Sequence, residues 1–231
     1  LELSGVLFNF LNNKLVLAAT DSYRLAEKET EAKYVVESED EKCEEIKTIV
    51  PAKTIQEIIR ILSGLKEFGG KEKIDEIKIY ISENQILFKI DSIELTSRLI
   101  EGQYPDYKQI IPTNPKTKSI INRSEIVRAI KASSLFSKTG INDVSLDLPE
   151  GKNKLVITSE SGQTGESVIE LESSIQGADN GVMVNYRYLL DGLNNIDSEN
   201  IKIEVIDNNT PCILKAEKEN DYLYIIMPIK Q

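Results

Sequence analysis

A strand–strand, helix, strand–strand pattern occurs twice along the chain, and no other feature restricts the fold as much. In the first half, alternating apolar residues Val6, Phe8 and Phe10, then Leu15 and Leu17, predict two strands joined at Asn12-Asn13. Val50 leads into a helix opened by Pro51, where a missing backbone N–H costs no hydrogen bond. Ile55, Ile58, Ile59, Leu62 and Leu65 fall at helical spacing and are expected to form one buried stripe, with Lys53, Gln56, Arg60 and Ser63 on the opposite face. Strands over 77–81, 86–90 and 95–100 complete the first pattern.

The second half repeats the pattern with Val144, Val184 and Ile201 as the counterparts of Val6, Val50 and Ile77. Strands are expected at 119–121, 144–148, 155–159 and 166–171, and again at 201–206, 212–216 and 222–226. Asn122, with Glu125 three residues on, is a helix N-cap signal. The helix it starts, 123–138, buries Ile126, Val127, Ile130 and Phe136 and exposes Arg128, Lys131 and Lys138. Asn185 caps a further helix with Leu189, Leu190, Leu193 and Ile196 inward. The fold class is therefore α+β, built from repeated units, and such repeats stack or close into rings more often than they form a compact enzyme. Residues 112–118 are polar and interrupted by Pro112 and Pro115, which places a boundary between domains at 1–112 and 113–231. The helix at 123–138 has no equivalent before Leu3 and the chain does not open on Met, so the first domain is expected to lack an N-terminal strand and helix.

Composition narrows the chemistry. The 231 residues include no His, which removes Ser-His-Asp and Cys-His catalytic units and histidine zinc sites. Asp21, Asp143, Asp147 and Asp207 lie near turns, but none forms a catalytic pair or a metal-ligand spacing, and no Walker-type glycine loop occurs. No enzyme activity, cofactor or metal is expected. Cys43 and Cys212 are isolated, as in a protein of a reducing cytoplasm. No apolar run reaches the ~20 residues of a membrane helix. The net charge of −10 opposes nonspecific nucleic-acid binding by the surface as a whole, so the placement of the basic residues matters more than their number. Acidic residues crowd 27–48, which reads as a solvated hairpin or loop. By contrast, the helix at 52–66 sets Lys53, Arg60 and Lys66 against Glu57, and the helix at 123–138 sets Arg123, Arg128, Lys131 and Lys138 against Glu125.

Five segments carry a resemblance. Thr20-Asp21-Ser22-Tyr23-Arg24-Leu25-Ala26, Val50-Pro51-Ala52-Lys53, Tyr104-Pro105-Asp106-Tyr107, Asn185-Tyr186-Arg187-Tyr188-Leu189-Leu190-Asp191-Gly192-Leu193 and Tyr224-Ile225-Ile226-Met227-Pro228-Ile229 occur in the order found in the bacterial sliding clamp family, the beta subunit of the replicative DNA polymerase. Ser22 and Tyr23 stand where that family usually has Gly and His, and Gln109 where a basic residue is frequent. The resemblance implies DNA-clamp domains, with helices on the inner face of curved antiparallel sheets, and a homodimeric ring around double-stranded DNA. It also implies sliding without sequence specificity and a cytoplasmic role as a polymerase processivity factor. Lys53, Arg60, Arg123, Arg128 and Lys131 would face DNA phosphates, which position a duplex without reading its sequence. A shallow groove would take Gln-x-x-Leu-Phe peptides from the replicative polymerase, the clamp loader and repair proteins. It would be built from Leu3, Thr20, Ser22, Tyr23, Arg24, Leu25, Pro105, Ile110, Asn185, Tyr188, Pro211, Ile225, Met227 and Ile229. The residues themselves leave two other readings: a repeat-built protein-interaction scaffold with no DNA role, and a hydrolase using two carboxylates.

Overall fold

Asn12 and Asn13 both take left-handed backbone angles, φ 52° and 61°, in a two-residue turn between β1 (Gly5–Leu11) and β2 (Lys14–Thr20). Two such residues in succession match the right-handed twist of a hairpin, and asparagine tolerates that conformation better than most residues. The computed structural model describes residues 2–33, 45–68 and 76–230. The remaining described strands and α-helices are β3 (Arg24–Glu31), β4 (Ile46–Pro51), α1 (Ala52–Phe68), β5 (Lys78–Ile81), β6 (Gln85–Ile90), β7 (Ile93–Arg98), β8 (Thr117–Asn122), α2 (Arg123–Ser133), β9 (Asp143–Leu148), β10 (Lys154–Ser161), β11 (Gly165–Glu172), β12 (Ser174–Gly177), β13 (Asn180–Asn185), α3 (Tyr186–Asn194), β14 (Asn200–Val205), β15 (Cys212–Ala216) and β16 (Tyr222–Ile226). Part of the acidic stretch, with Cys43, and the Gly69-Gly70 pair lie outside the described residues.

The chain forms two compact units, Leu1–Asp21 with Lys28–Pro105 and Ser22–Glu27 with Asp106–Gln231. The changeover at Pro105–Asp106 falls ahead of the proline-interrupted stretch at 112–118. Tyr107 accounts for that position: its ring is buried and its hydroxyl donates to the Glu27 carboxylate, both within the second unit.

In the first unit β1 lies between β2 and β4, with Leu7 opposite Ala18 and Ile49, and β5, β6 and β7 form a separate antiparallel sheet. Phe8 meets Phe88 edge-on at 6.0 Å in a core shared with Leu15, Val50, Ile58, Ile86 and Ile90. α1 packs Ile55, Ile58, Ile61, Leu62 and Leu65 onto this core, whereas Ile59 is 58% exposed. The expected stripe was one residue too wide. At 100° per residue Ile59 turns away from the line through Ile58, Leu62 and Leu65, toward the basic face.

In the second unit one sheet runs β12–β8–β14–β15–β16 with the opening residues of β3 beside β16, and another runs β11–β10–β9–β13. Strict alternation explains β10, where Leu155, Ile157 and Ser159 point inward and their neighbours outward. Val144, Leu146, Leu148, Leu155 and Ile157 join Ile126, Ile130, Leu189 and Leu193 in the core. Asn122 caps α2 as expected, its side chain accepting from the Ser124 and Glu125 N–H groups, and Asn185 caps α3 through the Arg187 N–H. α2 ends at Ser133, followed by a 3-10 turn, Ser134–Phe136, and Phe136 is only half-buried. β12 and β13 were not expected, because Ser-Ile-Gln-Gly and Asn-Gly-Val-Met-Val-Asn carry little alternation. They become strands by pairing with β8 and β9.

Candidate functional site

The opening turn of β3 meets α3 and the chain's last strand inside the second unit. Ser22 holds φ at 74°, a left-handed angle that costs a side-chain-bearing residue about 1–2 kcal/mol, at the position where the resemblance anticipates glycine. From that turn Tyr23 projects with 64% of its surface exposed. Its ring stacks on Tyr188, with centroids 6.4 Å apart and planes at 28°. The Arg24 guanidinium lies 4.4 Å from the centroid of the same Tyr188 ring, a cation–π geometry, and donates through Nη1 to the Asp191 carboxylate.

Several backbone contacts fix this cluster. The Met227 N–H donates to the Tyr23 carbonyl at 2.8 Å, which ties the chain after β16 to the turn. The Ile229 N–H donates to the Met183 carbonyl at 2.8 Å. β15 and β16 pair Cys212 with Ile226, so continuing the register sets Pro211 across from Met227. The Tyr224 hydroxyl donates to the Tyr188 carbonyl at 3.0 Å. Its ring lies so close to α3 that a Cβ on Gly192 would stand 2.6 Å from Cε1 and 3.0 Å from Cγ.

The second unit thus brings together Ser22, Tyr23, Arg24, Tyr188, Pro211, Met227 and Ile229, with Asn185 at the start of α3. Ile110 ends a 3-10 turn, Tyr107–Ile110, and is 37% exposed. Two residues expected to offer apolar surface do not. Leu25 is 1% exposed and Ile225 is 0%, although alternation sets them on the sheet face opposite Ala26, Tyr224 and Ile226, which join the core of the second unit. Buried on that face, neither offers surface to a ligand. Leu3, 39% exposed, and Thr20 and Pro105 belong to the first unit. There a backbone hydrogen bond at Thr20 opposes the burial that pushes the Tyr104 phenol upward.

Asp191 was not singled out as a site residue. Charge counting along α3 sets it against Arg187, four residues before, yet Arg187 leans over Tyr186 and Asp191 pairs with Arg24. The available signal was its place three residues after Tyr188, on the same helix face.

Of the basic residues, Lys53 and Arg60 are exposed on α1, and Arg128 and Lys131 on α2. Arg60 donates to Glu57 through Nε and Nη2 at 2.9 and 2.6 Å, which holds the Glu57 carboxyl below its usual range. Arg123 departs from expectation. It is half-buried and donates to the Ser198 carbonyl at 3.1 Å and the Leu193 carbonyl at 3.4 Å. Its guanidinium fork serves backbone oxygens at the end of α3, where a cation also suits the helix dipole, and not an open surface.

The carboxylates near turns have separate structural surroundings. Asp143 is buried and accepts from the Ser137 hydroxyl and Lys138 N–H, and Asp207 accepts from the Asn209 and Thr210 N–H groups, which lower its carboxyl. Burial raises the Asp147 carboxyl. Among the described residues no cluster of acidic or cysteine side chains could hold a metal ion, and no helix is long and apolar enough to cross a membrane.

The two units are α+β domains built on one repeated pattern, and the second presents an aromatic–arginine surface on a strand and a helix. The chain belongs to the DNA polymerase III beta subunit family: residues 1–106 match that family's central domain and residues 108–230 its C-terminal domain. It is 30% identical over 229 residues to the Beta sliding clamp of Staphylococcus aureus and 31% identical over 229 residues to that of Staphylococcus epidermidis. Each match covers 99% of this chain and 56% of the relative, so the chain spans about half the length of the curated relatives it matches. Among solved structures, the DNA polymerase sliding clamp of Bacillus subtilis matches at 27% identity and a TM-score of 0.88, covering 100% of this chain and 57% of that one. The DNA polymerase III beta subunit of Thermotoga maritima matches at 27% identity and a TM-score of 0.86, covering 100% of this chain and 58% of that one.

Proposed function

We propose that this chain supplies the middle and last domains of a DNA polymerase processivity clamp, residues 1–112 and 113–231. In this reading the whole protein closes as a homodimeric ring around duplex DNA in the cytoplasm and slides without reading sequence. Lys53, Arg60, Arg128 and Lys131 contact phosphates, and contacts of that kind are salt-sensitive and sequence-independent. The chain binds and tethers; it turns over no substrate and needs no cofactor. The polymerase, the clamp loader and repair proteins attach through peptides of the Gln-x-x-Leu-Phe type.

The observation that carries this reading is the stack of exposed Tyr23 on half-buried Tyr188, with Arg24 beside it and Met227 tied to the same turn. Rigid aromatic rings and an adaptable methionine suit a leucine–phenylalanine pair, and thioether side chains accommodate partners of different shape. Burying two such side chains contributes roughly 3–5 kcal/mol before ordering costs, short of the about 8 kcal/mol of a micromolar complex, so the near-micromolar affinity expected here also needs the peptide's polar contacts. Titrating the peptide Gln-Leu-Asp-Leu-Phe into this chain tests it. Binding is expected, with Met227→Ala weaker by several-fold and still folded. An absence of binding, or an affinity indifferent to Met227, refutes the groove.

A further inference from the structure

We infer that Asp191 is a positioning residue of the peptide-binding surface: it fixes the Arg24 guanidinium against the face of Tyr188, so that the polar rim is set before a ligand arrives. The inference rests on the proposed peptide-binding role of this surface. Arg24 has a long, rotamer-rich side chain, and a binding site gains from such a group only when its orientation is set beforehand. Asp191 is placed to set it. Tyr188 and Asp191 stand at i and i+3 on α3, one face of one helix, and the same guanidinium reaches both: Cζ lies 4.4 Å from the Tyr188 ring centroid and Nη1 donates to the Asp191 carboxylate.

The platform beneath them is stiff. The Tyr224 hydroxyl holds the Tyr188 carbonyl at 3.0 Å, and the Asn195 side-chain amide holds the Asp191 carbonyl at 2.8 Å. On the other side, the Met227 N–H pins the Tyr23 carbonyl next to Arg24. The ion pair is meanwhile too open to matter much for folding, since its side chains are 31% and 58% exposed. Exposed pairs add little to stability. What this one can do is hold a geometry at a surface that a ligand reaches.

The test uses an uncharged probe, acetyl-Gln-Leu-Ser-Leu-Phe-amide, so that removing a carboxylate does not alter long-range attraction to the peptide. Calorimetric titration at low salt is expected to show Asp191→Asn weakened about threefold to tenfold, from the loss of a charge-assisted bond on an exposed pair. Asp191→Glu restores most of the affinity. In an Arg24→Met background Asp191→Asn has no further effect, because the group it positions is gone. The difference between wild type and Asp191→Asn narrows to less than about twofold near 1 M salt, where screening acts within about 3 Å. Melting temperatures of the variants stay close to that of the wild type. Wild-type affinity in Asp191→Asn, an equal loss in the Arg24→Met background, or a difference indifferent to salt each overturns the positioning role. Failure of the wild-type chain to bind the probe instead overturns the peptide-binding reading, and the positioning role falls with it.

Discussion

Replacing Gly192 by alanine tests the contact that sets α3 on β16. In an open helix that change stabilises by about 1 kcal/mol, since alanine is the better helix former. Here the new Cβ would meet the Tyr224 ring, 2.6 Å from Cε1 and 3.0 Å from Cγ, with Cδ1 closer still. Tyr224 is only 5% exposed and its hydroxyl is committed to the Tyr188 carbonyl, so the ring has little room to withdraw. Overpacking of this kind costs about 1–3 kcal/mol, and losing the hydroxyl bond adds about 1 kcal/mol. Against the propensity gain, the net destabilisation is about 1–3 kcal/mol, or roughly 3–10 °C in melting temperature for a unit of this size. Urea and thermal unfolding of Gly192→Ala measure it directly. In a Tyr224→Leu background the same substitution is expected to be neutral or slightly stabilising, because the ring it strikes has been removed. A Gly192→Ala chain as stable as the parent, or an equal loss in both backgrounds, refutes the contact argument.

Reversing Lys53, Arg60, Arg128 and Lys131 to glutamate in the whole protein is expected to shorten its retention on circular DNA and to flatten the salt dependence, with stability altered by only about ±0.5 kcal/mol per exposed site. Unchanged retention removes these helices from the DNA-facing surface. Burial pushes the Cys212 thiol up to about 12 in the folded chain, against about 8.5 when unfolded. Its contribution to stability is therefore complete below about pH 8.5 and is lost as pH rises toward 12. In a Cys43→Ser background, urea midpoints should fall with pH over that window, and less steeply once Cys212 is also replaced by alanine. Rapid reaction of Cys212 with a thiol reagent in the absence of urea would contradict its burial.

Features decided by local chemistry were legible in the sequence. Asn122 and Asn185 announced helix starts because an N-cap needs only a short polar side chain and the next three residues. Asn12-Asn13 announced a hairpin for a similar reason. What escaped was decided at a distance. The Arg24–Asp191 pair spans 167 residues of sequence, and no periodicity records it. Motif position could assign Leu25 and Ile225 to a groove. Only the packed structure shows that both are buried. β12 and β13 carry too little alternation to be read singly and exist because β8 and β9 offer them partners.

Arg123 carries a lesson about electrostatic inventories. The sequence counts it among four cations on one helix, but its guanidinium is engaged with the Leu193 and Ser198 carbonyls at 3.4 and 3.1 Å. It works as a rivet between the start of α2 and the end of α3, and the charge available to a passing polyanion is smaller than the tally. A charge-reversal experiment that included Arg123 would confound two quantities, loosening the joint between helices while appearing to measure attraction to DNA. The role of this arginine is accordingly mechanical, and a lysine there, with one compact ammonium in place of a planar fork, would keep the charge and lose the joint.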